Sequence, residues 1–279
     1  MNRASRGPAV ERRAVLSVRH PAPGYFIARL ASRVIAARAA VGQFLMLQTG
    51  PGPVPLLKRP MSVADVGLDA EGLPGSVEIA GKVVGPGTRR MHDWQPGQEV
   101  EAVGPLGTGF SLDEEDRAGR LPILLAGGVG IPPLLFVAKL FDVQGVDFQF
   151  FLGGRTAHDL LYRDRLEQYC PRLVCATDDG SVGTPGTVVD AFAPLLRERQ
   201  DLICYACGPK PMLAAISRQL AGTDVPYSAA VEEVMGCGFG ACLSCAVPYR
   251  DAAGTVTPAR ACQDGPVLDG HRIAWDAWP

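Results

Sequence analysis

The sequence predicts a multi-domain protein in which a β-barrel is followed by a doubly wound α/β domain and a small cysteine-rich module. Three observations carry this prediction. Short β-like segments separated by Gly and Pro fill the chain up to about Leu112. From Leu121 onward, continuous apolar runs alternate with helix-like stretches. Near the C-terminus, four cysteines have the spacing C-x4-C-x2-C-x16-C.

The first predicted domain spans residues 1–115 and consists of many short strands. The clearest β-like segments are Tyr25–Arg29, Gln43–Gln48, Val77–Ile79 and Glu99–Val103. Many short strands with turn signals between them are typical of a barrel or a sandwich. The charged run Asp113–Arg117 predicts a solvated connector, and we place the first domain boundary there.

The second predicted domain spans residues 116–230 and alternates strands with helices. The apolar runs are Ile123–Ala126, Phe148–Leu152, Leu173–Ala176 and Leu202–Ala206. The helix-like stretches between and after them are Pro132–Phe141, Leu160–Tyr169, Val188–Arg197 and Pro211–Leu220. Continuous apolar strands separated by helices indicate a parallel sheet that is covered on both faces. Such a sheet binds nucleotides at the carboxyl ends of its strands.

Two turns in this domain are candidates for contact with a dinucleotide. The first contains Gly127, Gly128 and Gly130 and precedes a helix that opens with Pro132 and Pro133. It lacks the G-x-G-x-x-G spacing, so a phosphate loop and an ordinary tight turn both remain open. The second turn, Cys207–Met212, ends the fourth apolar run. We expect both turns at the same edge of the sheet.

The third segment, residues 231–279, contains the four spaced cysteines, which are Cys237, Cys242, Cys245 and Cys262. Their spacing is that of a plant-type [2Fe-2S] site with four thiolate ligands. A zinc site and a disulfide framework are the alternatives. Structural zinc usually takes two separated pairs of ligands. Disulfides are disfavoured because the other cysteines lie in apolar stretches of a chain with the features of an intracellular enzyme. A hairpin over Ala246–Arg250 and Gly254–Pro258 is expected between the third and fourth ligands.

Composition excludes several other classes of protein. The chain has 279 residues, 47% of them hydrophobic, and a net charge of -2, which gives no electrostatic basis for binding nucleic acid. The longest apolar run, Ile123–Ala138, is short and interrupted by Gly and Pro, so no membrane span is expected. The basic segment Met1–Arg6 is not followed by the apolar stretch of a secretory signal. We therefore expect a cytoplasmic protein.

Several motifs occur in a recognisable order along the chain. They are Arg59-Pro60-Met61-Ser62, Gly85-Pro86-Gly87-Thr88, Gly104–Phe110, Gly127–Pro133, Cys207–Met212, Glu232–Gly238 and Cys262–Val267. From about Ala14 to the C-terminus the chain resembles the ferredoxin-NADP reductase superfamily. Within it, the combination is similar to the electron-transfer subunits of class 1B dihydroorotate dehydrogenases.

This resemblance implies FAD, a [2Fe-2S] cluster and NAD as cofactors, and it assigns residues to each of them. The FAD residues are Arg59, Pro60, Met61, Ser62, Gly87 and Thr88, together with Ala80, Gly81 and Lys82 on a strand beside the flavin. Many relatives have an aromatic residue and an arginine on that strand, so Gly81 is a departure. The NAD residues are Gly127, Gly128, Gly130, Gly208 and Pro209, and Cys207 is assigned a catalytic position beside the nicotinamide.

Preference for NAD over NADP is expected at the end of the third strand of this domain. NADP-dependent relatives have Ser and Arg there, whereas this chain has Asp178 and Asp179. A carboxylate repels a 2′-phosphate and accepts hydrogen bonds from a ribose hydroxyl. We assign Asp178 to the NAD site.

The resemblance also implies a function that needs a partner. A separate FMN-containing catalytic subunit would oxidise dihydroorotate, and this chain would pass the electrons through the cluster and FAD to NAD+ in pyrimidine biosynthesis, as a heterotetramer with two copies of each chain. One alternative is an NAD(P)H diaphorase subunit of a hydrogenase, glutamate synthase or transhydrogenase complex. A flavin-binding regulator without activity is disfavoured by the intact motifs. Trp275 and Trp278 fit either internal packing or a partner contact.

Overall fold

The computed structural model describes residues 7–50, 52, 55–117 and 119–278, so the segment Met1–Arg6 lies outside the described residues. Within these ranges the strands form two seven-stranded sheets and one two-stranded sheet. None of the helices in the described part of the chain is long and apolar enough to cross a membrane.

The first sheet is antiparallel throughout, with the strand order β4-β3-β7-β1-β2-β6-β5. Its strands are β1 (Ala9–Arg19), β2 (Tyr25–Ala31), β3 (Phe44–Leu47), β4 (Arg59–Ser62), β5 (Asp65–Leu68), β6 (Pro74–Lys82) and β7 (Glu99–Leu106). The edge strands β4 and β5 are joined only by Val63 and Ala64, both fully buried. Because two residues cannot cross a flat seven-stranded sheet, the sheet must curl until its edges approach each other. The predicted barrel-type domain is confirmed as a curled antiparallel sheet.

Three short helices accompany this sheet: α1 (Arg33–Ala36), α2 (Pro86–His92) and α3 (Glu114–Arg117). Helix α1 starts where the Ser32 hydroxyl accepts a hydrogen bond from the amide of Ile35 at 3.0 Å. Helix α2 has Pro86 in its first turn, where a missing N–H has no cost. Helix α3 has no buried residue and coincides with the charged connector that the sequence predicts.

The second sheet has the order β11-β10-β9-β8-β12-β13-β16. Its strands are β8 (Leu121–Gly127), β9 (Gln149–Gly154), β10 (Leu173–Thr177), β11 (Thr184–Pro185), β12 (Leu202–Cys207), β13 (Tyr227–Ala230) and β16 (Val267–Asp269). All pairings are parallel except that of β13 with β16. All seven residues of β8 are buried, as expected for a central strand covered on both faces.

Helices cover the two faces of this sheet. They are α4 (Ile131–Val143), α5 (Arg163–Tyr169), α6 (Val188–Glu198) and α7 (Lys210–Leu220). Leu124 of β8 belongs to the buried cluster that contains residues of α4 and α5, whereas Leu125 belongs to the cluster formed with α6 and α7. Successive side chains of a strand point to opposite faces, so the two clusters lie on opposite sides of the sheet. The predicted doubly wound domain is confirmed.

Helix α5 differs from its prediction, because the sequence places its start at Leu160. In the structure a single 3-10 turn over Ala157–Asp159 comes first, and α5 begins at Arg163. Tyr162 precedes it with φ of 62°, which is a left-handed conformation that cannot continue a helix. The apolar periodicity of the segment gave no sign of this break.

The C-terminal segment contains the hairpin of β14 (Ala246–Arg250) and β15 (Val256–Arg260), whose second strand begins two residues later than predicted. Its last strand, β16, pairs with β13 and so becomes the outermost strand of the second sheet. The limits 1–115, 116–230 and 231–279 stay a prediction for the three domains.

Candidate functional site

Two clefts lie at the carboxyl edge of the parallel sheet. The first, called the barrel cleft here, lies between the curled sheet and the parallel sheet. It is lined by Arg59–Ser62, Ala80–Lys82, Gly85–Thr88, Gly130, Cys207, Gly208, Ala230–Glu233, Met235 and Pro266, among others. The second, called the sheet cleft, is lined by Tyr25, Lys82, Gly127, Gly128, Gly153–Arg155, Asp159, Asp178, Thr187–Asp190 and Pro209, among others.

Arg59 lies against the first turn of α2. A Cβ atom added to Gly87 would lie 2.5 Å from Arg59 Nε, so only glycine allows the guanidinium to lie so close to the helix. The Thr88 hydroxyl accepts hydrogen bonds from the amides of Val84 at 2.9 Å and Gly85 at 3.2 Å. A guanidinium beside a helix N-terminus provides fixed donors and positive charge, which suits a phosphate group.

Gly81 is explained by packing at the end of β6. It pairs with Phe26 of β2, and a Cβ atom at this position would lie 2.8 Å from Phe26 Cζ and 2.7 Å from Met61 Cε. These two side chains already fill the space that a larger residue would need. The wall of the barrel cleft at Gly81 is therefore backbone, and the departure from relatives has a local cause.

The two turns that the sequence singles out meet at the topological switch point of the sheet. Strands β8 and β12 are neighbours, and the chain leaves them toward opposite sides of the sheet. Ligands of doubly wound folds bind at such a point. A Cβ atom at Gly130 would overlap the Cys207 carbonyl, whereas one at Gly128 would meet nothing within 4 Å. Gly130 thus allows the two turns to touch, and Gly128 borders open space in the sheet cleft.

Cys207 ends β12 and borders the barrel cleft. Burial raises the pKa of its thiol, and the neighbouring Glu232 raises it further. The thiol is therefore neutral at physiological pH.

The sheet cleft has a volume of about 830 Å³, and the two acidic residues after β10 differ in their position relative to it. Asp178 lines the cleft. Asp179 instead accepts hydrogen bonds from the Ser181 amide at 3.0 Å and the Ser181 hydroxyl at 2.6 Å, which lower its pKa. Of this acidic pair, only Asp178 borders the cleft.

The four predicted cysteine ligands lie in the loop 236–245 and in the turn that closes it. Their thiols influence one another: besides burial, the neighbouring Cys245 and Cys237 raise the pKa of Cys262. Among the residues that the structure describes, no three His, Cys, Asp or Glu side chains are placed to hold one metal ion. A single zinc needs four ligands around one point, whereas a [2Fe-2S] cluster needs two thiolates on each of two irons. Four thiols that do not surround one point fit the cluster better.

Backbone and hydroxyl donors surround these sulfurs. The Gly240 amide donates to Cys262 Sγ at 3.1 Å. The Ser244 hydroxyl lies 3.2 Å from Cys242 Sγ and, with its own amide, lowers the pKa of Cys242 to about 6. Burial raises the pKa of Cys262 to about 12. Donors of this kind are those that tune a cluster through its sulfurs.

The segment that closes the cysteine site is attached to the barrel. The Thr108 amide donates to the Gly265 carbonyl at 2.6 Å, and the Thr108 hydroxyl donates to the Gln263 carbonyl at 3.3 Å. Pro266 then lines the barrel cleft, four residues after Cys262. The cysteine site and the barrel cleft therefore share one short stretch of chain.

The tryptophans of the tail pack within the molecule. Trp275 and Trp278 stack with ring centroids 5.6 Å apart. The Trp278 indole donates to Glu233 at 3.0 Å, and the Lys210 ammonium lies 4.9 Å from its ring centroid. Internal packing thus accounts for both residues.

Every site residue named from the sequence lies in one of the two clefts or in the cysteine site. Sequence reasoning missed Tyr25 and Asp159, which line the sheet cleft and bond to Lys82, as well as Met235 and Pro266 in the barrel cleft. The last two lie within quoted motifs, so their position in the motif was the signal. Tyr25 and Asp159 had no such signal, because they are 134 residues apart.

Comparison with known proteins identifies two of the three segments. Residues 232–274 match the iron-sulfur cluster binding domain of dihydroorotate dehydrogenase B, and residues 124–218 match the oxidoreductase NAD-binding domain. Both matches agree with the cofactors predicted for these segments.

Curated relatives match along nearly the whole chain. The dihydroorotate dehydrogenase B (NAD(+)) electron transfer subunit of Desulforamulus reducens is 36% identical over 262 residues, covering 94% of this chain and 97% of the relative. That of Bacillus caldolyticus is 36% identical over 265 residues, covering 94% and 98%. These matches favour the dihydroorotate function over the hydrogenase, glutamate synthase and transhydrogenase alternative.

Solved structures confirm the fold. An NADH-dependent reduced ferredoxin-NADP oxidoreductase, studied for flavin-based electron bifurcation, superposes with a TM-score of 0.81 at 28% identity, covering 96% of this chain and 91% of that one. A ferredoxin NADP+ reductase from Neisseria gonorrhoeae with bound FAD and NADP gives a TM-score of 0.61 at 20% identity, covering 77% and 92%. The latter likeness concerns the fold alone. Given its full-length relatives and its iron-sulfur domain, the chain belongs to the family of dihydroorotate dehydrogenase B (NAD(+)) electron-transfer subunits.

Proposed function

We propose that this chain carries electrons from a dihydroorotate-oxidising partner subunit to NAD+ in cytoplasmic pyrimidine biosynthesis. The observation that supports this most directly is the order of three contiguous sites. Pro266 connects the cysteine site to the barrel cleft, and Lys82 borders both the barrel cleft and the sheet cleft. When bound, a [2Fe-2S] cluster and FAD supply the redox chemistry that turns single electrons into a hydride for NAD+.

The barrel cleft is the proposed FAD site. Arg59 and the first turn of α2 would neutralise and position the pyrophosphate, since a guanidinium can bind two phosphate oxygens at once. Ser62 and the backbone from Ala80 to Lys82 would contact the flavin. Met61, with Phe26 behind Gly81, keeps that wall apolar and excludes water from it.

The sheet cleft is the proposed NAD site. Gly128 leaves room for the pyrophosphate at the end of β8, and Asp178 would accept a hydrogen bond from the adenosine ribose. Gly208 and the neutral thiol of Cys207 border the barrel cleft, where the nicotinamide would meet the flavin. Cys207 thus contributes a close, uncharged contact surface for the transferred hydride.

The four cysteines are the proposed cluster site. Cys237, Cys242, Cys245 and Cys262 would bind the two irons, with two thiolates on each. Cys242 is exposed, and its neighbours Phe239 and Leu243 have exposed fractions of 59% and 62%. We assign this apolar surface to the FMN-containing catalytic subunit, with two copies of each chain in the complex.

Reconstitution with the cognate catalytic subunit tests the function. The chain alone, purified anaerobically, should reduce dyes with NADH but should not oxidise dihydroorotate. Addition of the FMN-bearing subunit should produce NAD+ reduction that depends on dihydroorotate. Oxidation of dihydroorotate by the chain alone, or no coupling with the cognate subunit, would refute the proposal.

Leu243 tests the partner surface separately. It is a non-glycine residue with φ of 58°, so Leu243→Gly removes the side chain without adding backbone strain. Leu243→Glu places a charge at the same point. We expect Leu243→Glu to slow electron transfer between the subunits about tenfold, with NADH-dye activity unchanged. Leu243→Gly serves as the matched control and should have a smaller effect on transfer.

A further inference from the structure

One carboxylate of the parallel-sheet domain is bound by two residues of the barrel. Asp159 follows β9 in a 3-10 turn and is 6% exposed. Its Oδ1 atom accepts hydrogen bonds from the Tyr25 hydroxyl and from Lys82 Nζ, the latter at 3.0 Å. Lys82 Nζ also donates to the Tyr25 hydroxyl at 2.8 Å. Tyr25, Lys82 and Asp159 form a closed triangle, called the interdomain triad below.

The charge state of the interdomain triad follows from its surroundings. Burial opposes ionisation of Asp159, but hydrogen bonds from Tyr25 and Lys82 outweigh it and lower the pKa of Asp159 to about 2. Burial also opposes the charge on Lys82, yet Tyr25 and Asp159 together raise the pKa of Lys82. Burial raises the pKa of Tyr25, as does its bond to Asp159. At neutral pH the triad is a carboxylate held by an ammonium and a neutral phenol.

The second oxygen of Asp159 organises the loop after β9. Oδ2 accepts hydrogen bonds from the amides of Arg155 at 3.2 Å and Thr156 at 3.3 Å. The carbonyls of Gly154 and Arg155 in turn accept from the amides of Asp178 at 3.1 Å and Asp179 at 3.2 Å. A single carboxylate thereby ties the barrel to two loops that shape the sheet cleft.

The interdomain triad lies where the two clefts meet. Lys82 lines both clefts, and Tyr25 and Asp159 line the sheet cleft. A second ionic contact between the domains lies farther along the barrel strands. There Arg165 of α5 donates to Asp65 at 2.8 Å and to Glu78 at 2.7 Å. Asp65, Glu78 and Arg165 line neither of these clefts. The two contacts therefore differ in location, although both join β-barrel strands to the same domain.

We propose that Asp159 is a positioning residue: through Tyr25 and Lys82 it fixes the loop after β9 against the barrel, and so sets how the nicotinamide approaches the flavin. This inference rests on the proposed FAD and NAD sites. Hydride transfer needs the reacting atoms about 3 to 3.5 Å apart, and a displacement of about 1 Å can slow such a step about a hundredfold. A contact at the junction of the clefts governs that distance, whereas the Arg165 contact holds the domains together elsewhere.

Tyr25→Phe is the primary test, because it deletes one hydroxyl and keeps the buried ring. Flavin reduction by NADH should slow about tenfold in rapid-reaction experiments, with the NAD+ dissociation constant within about twofold of the unmodified value. The kinetic isotope effect with 4-deuterated NADH should rise, since hydride transfer becomes slower than the other steps. Amide hydrogen exchange at Arg155 and Thr156 should accelerate, which is a readout independent of turnover. Asp159→Asn should slow flavin reduction more, and should raise the isotope effect and the exchange rate more, than Tyr25→Phe does.

Arg163→Gln is the matched control. Arg163 also lies on α5, but its ion pair with Glu167 at 2.8 Å is within one domain. This variant should leave flavin reduction, the isotope effect and exchange unchanged. Should Asp159→Asn fail to fold, the Tyr25→Phe variant alone tests the positioning role of Asp159.

The proposal is overturned if Tyr25→Phe reduces flavin at the unmodified rate, if NAD+ binding and flavin reduction weaken equally, or if exchange at Arg155 and Thr156 does not change. Failure of the unmodified chain to reduce its flavin with NADH would instead refute the proposed function. The two failures are therefore distinguishable.

Discussion

The cysteine loop and the parallel sheet are held in place by different forces. Residues 236–245 contain no helix or strand, and Phe239, Cys242 and Leu243 are exposed. Strand β8, by contrast, is entirely buried, and its side chains belong to two apolar clusters. The loop has little apolar surface to bury, so its own packing provides little stability. Ligand bonds to metal are the force that can fix it.

This difference teaches which residues each region depends on. In the loop, identity matters at the four cysteines and at glycines that let the backbone turn, such as Gly238 with φ of 84°. In the sheet, many apolar residues contribute to stability, and the volume of each side chain matters more for stability than its identity. Each region should therefore tolerate the changes that damage the other.

The largest expected effect is loss of the cluster. Cys242→Ser removes one thiolate, and iron and acid-labile sulfide should fall from two of each per chain to near zero, while FAD stays bound. Metal and sulfide analysis with flavin absorbance measures this. Cys175→Ala, which removes a half-buried thiol of β10, is the control and should keep its iron. One zinc and no sulfide in the unmodified protein would contradict the cluster assignment.

A cavity in the core of the parallel-sheet domain should have the opposite effect: it should lower the stability of the fold and leave the iron content unchanged. Phe192 of α6 is fully buried and packs edge-on against Phe151 with centroids 5.6 Å apart. Phe192→Ala should lower the free energy of unfolding of the parallel-sheet domain by about 3 to 5 kcal/mol. Urea denaturation followed by circular dichroism measures the change, and iron content in native buffer should be unaffected. Arg197→Ala, at an exposed position of the same helix, should change it by less than about 0.5 kcal/mol. Equal effects of both variants would show that the sheet does not depend on this core.

The smallest expected effect concerns the carboxyl ends of the parallel strands, where charge rather than packing sets the preference between NADH and NADPH. Asp178→Asn removes the carboxylate that lines the sheet cleft, and kcat/KM with NADPH should rise about tenfold, or about 1.4 kcal/mol, because repulsion of the 2′-phosphate is relieved. Steady-state kinetics with NADH and NADPH measure it. Asp179→Asn is the control, since Asp179 is bound to Ser181. Equal use of both nucleotides by the unmodified protein would refute NAD preference.

The regular elements were predictable because their signals are local. The apolar runs of β8 and β12 lie within short stretches, and both form the expected neighbouring parallel strands. The four-cysteine spacing is also read from the sequence directly, and its role as the ligand set stays a prediction. The long strand β1 was missed because its alternation is masked by Glu11, Arg12 and Arg13. These three residues are partly or fully exposed, and an antiparallel strand with one solvated face accepts charged side chains there, so composition alone hides the strand.

Contacts between distant segments were not predictable. Lys82 was assigned to the flavin, and its bonds to Tyr25 and Asp159 span 57 and 77 residues. The pairing of β13 with β16 joins strands from two predicted domains. Such pairings depend on how whole domains pack, which no window of sequence contains. The role of Asp179 was also hidden, since the Ser181 bond depends on the shape of one turn.

The position of β16 in the chain has a consequence for biosynthesis. Strands β1 to β13 can form before residues 262–269 leave the ribosome, because domains generally fold as they emerge. Until then β13 has one edge without a neighbour, Cys262 is absent from the cysteine site, and Pro266 is absent from the wall of the barrel cleft. One short stretch near the C-terminus thus completes the sheet, the ligand set and the cleft together. The set of four cysteines is therefore completed only after β1 to β13 have been synthesised, and a chain interrupted before Cys262 would lack the fourth cysteine, strand β16 and Pro266 together.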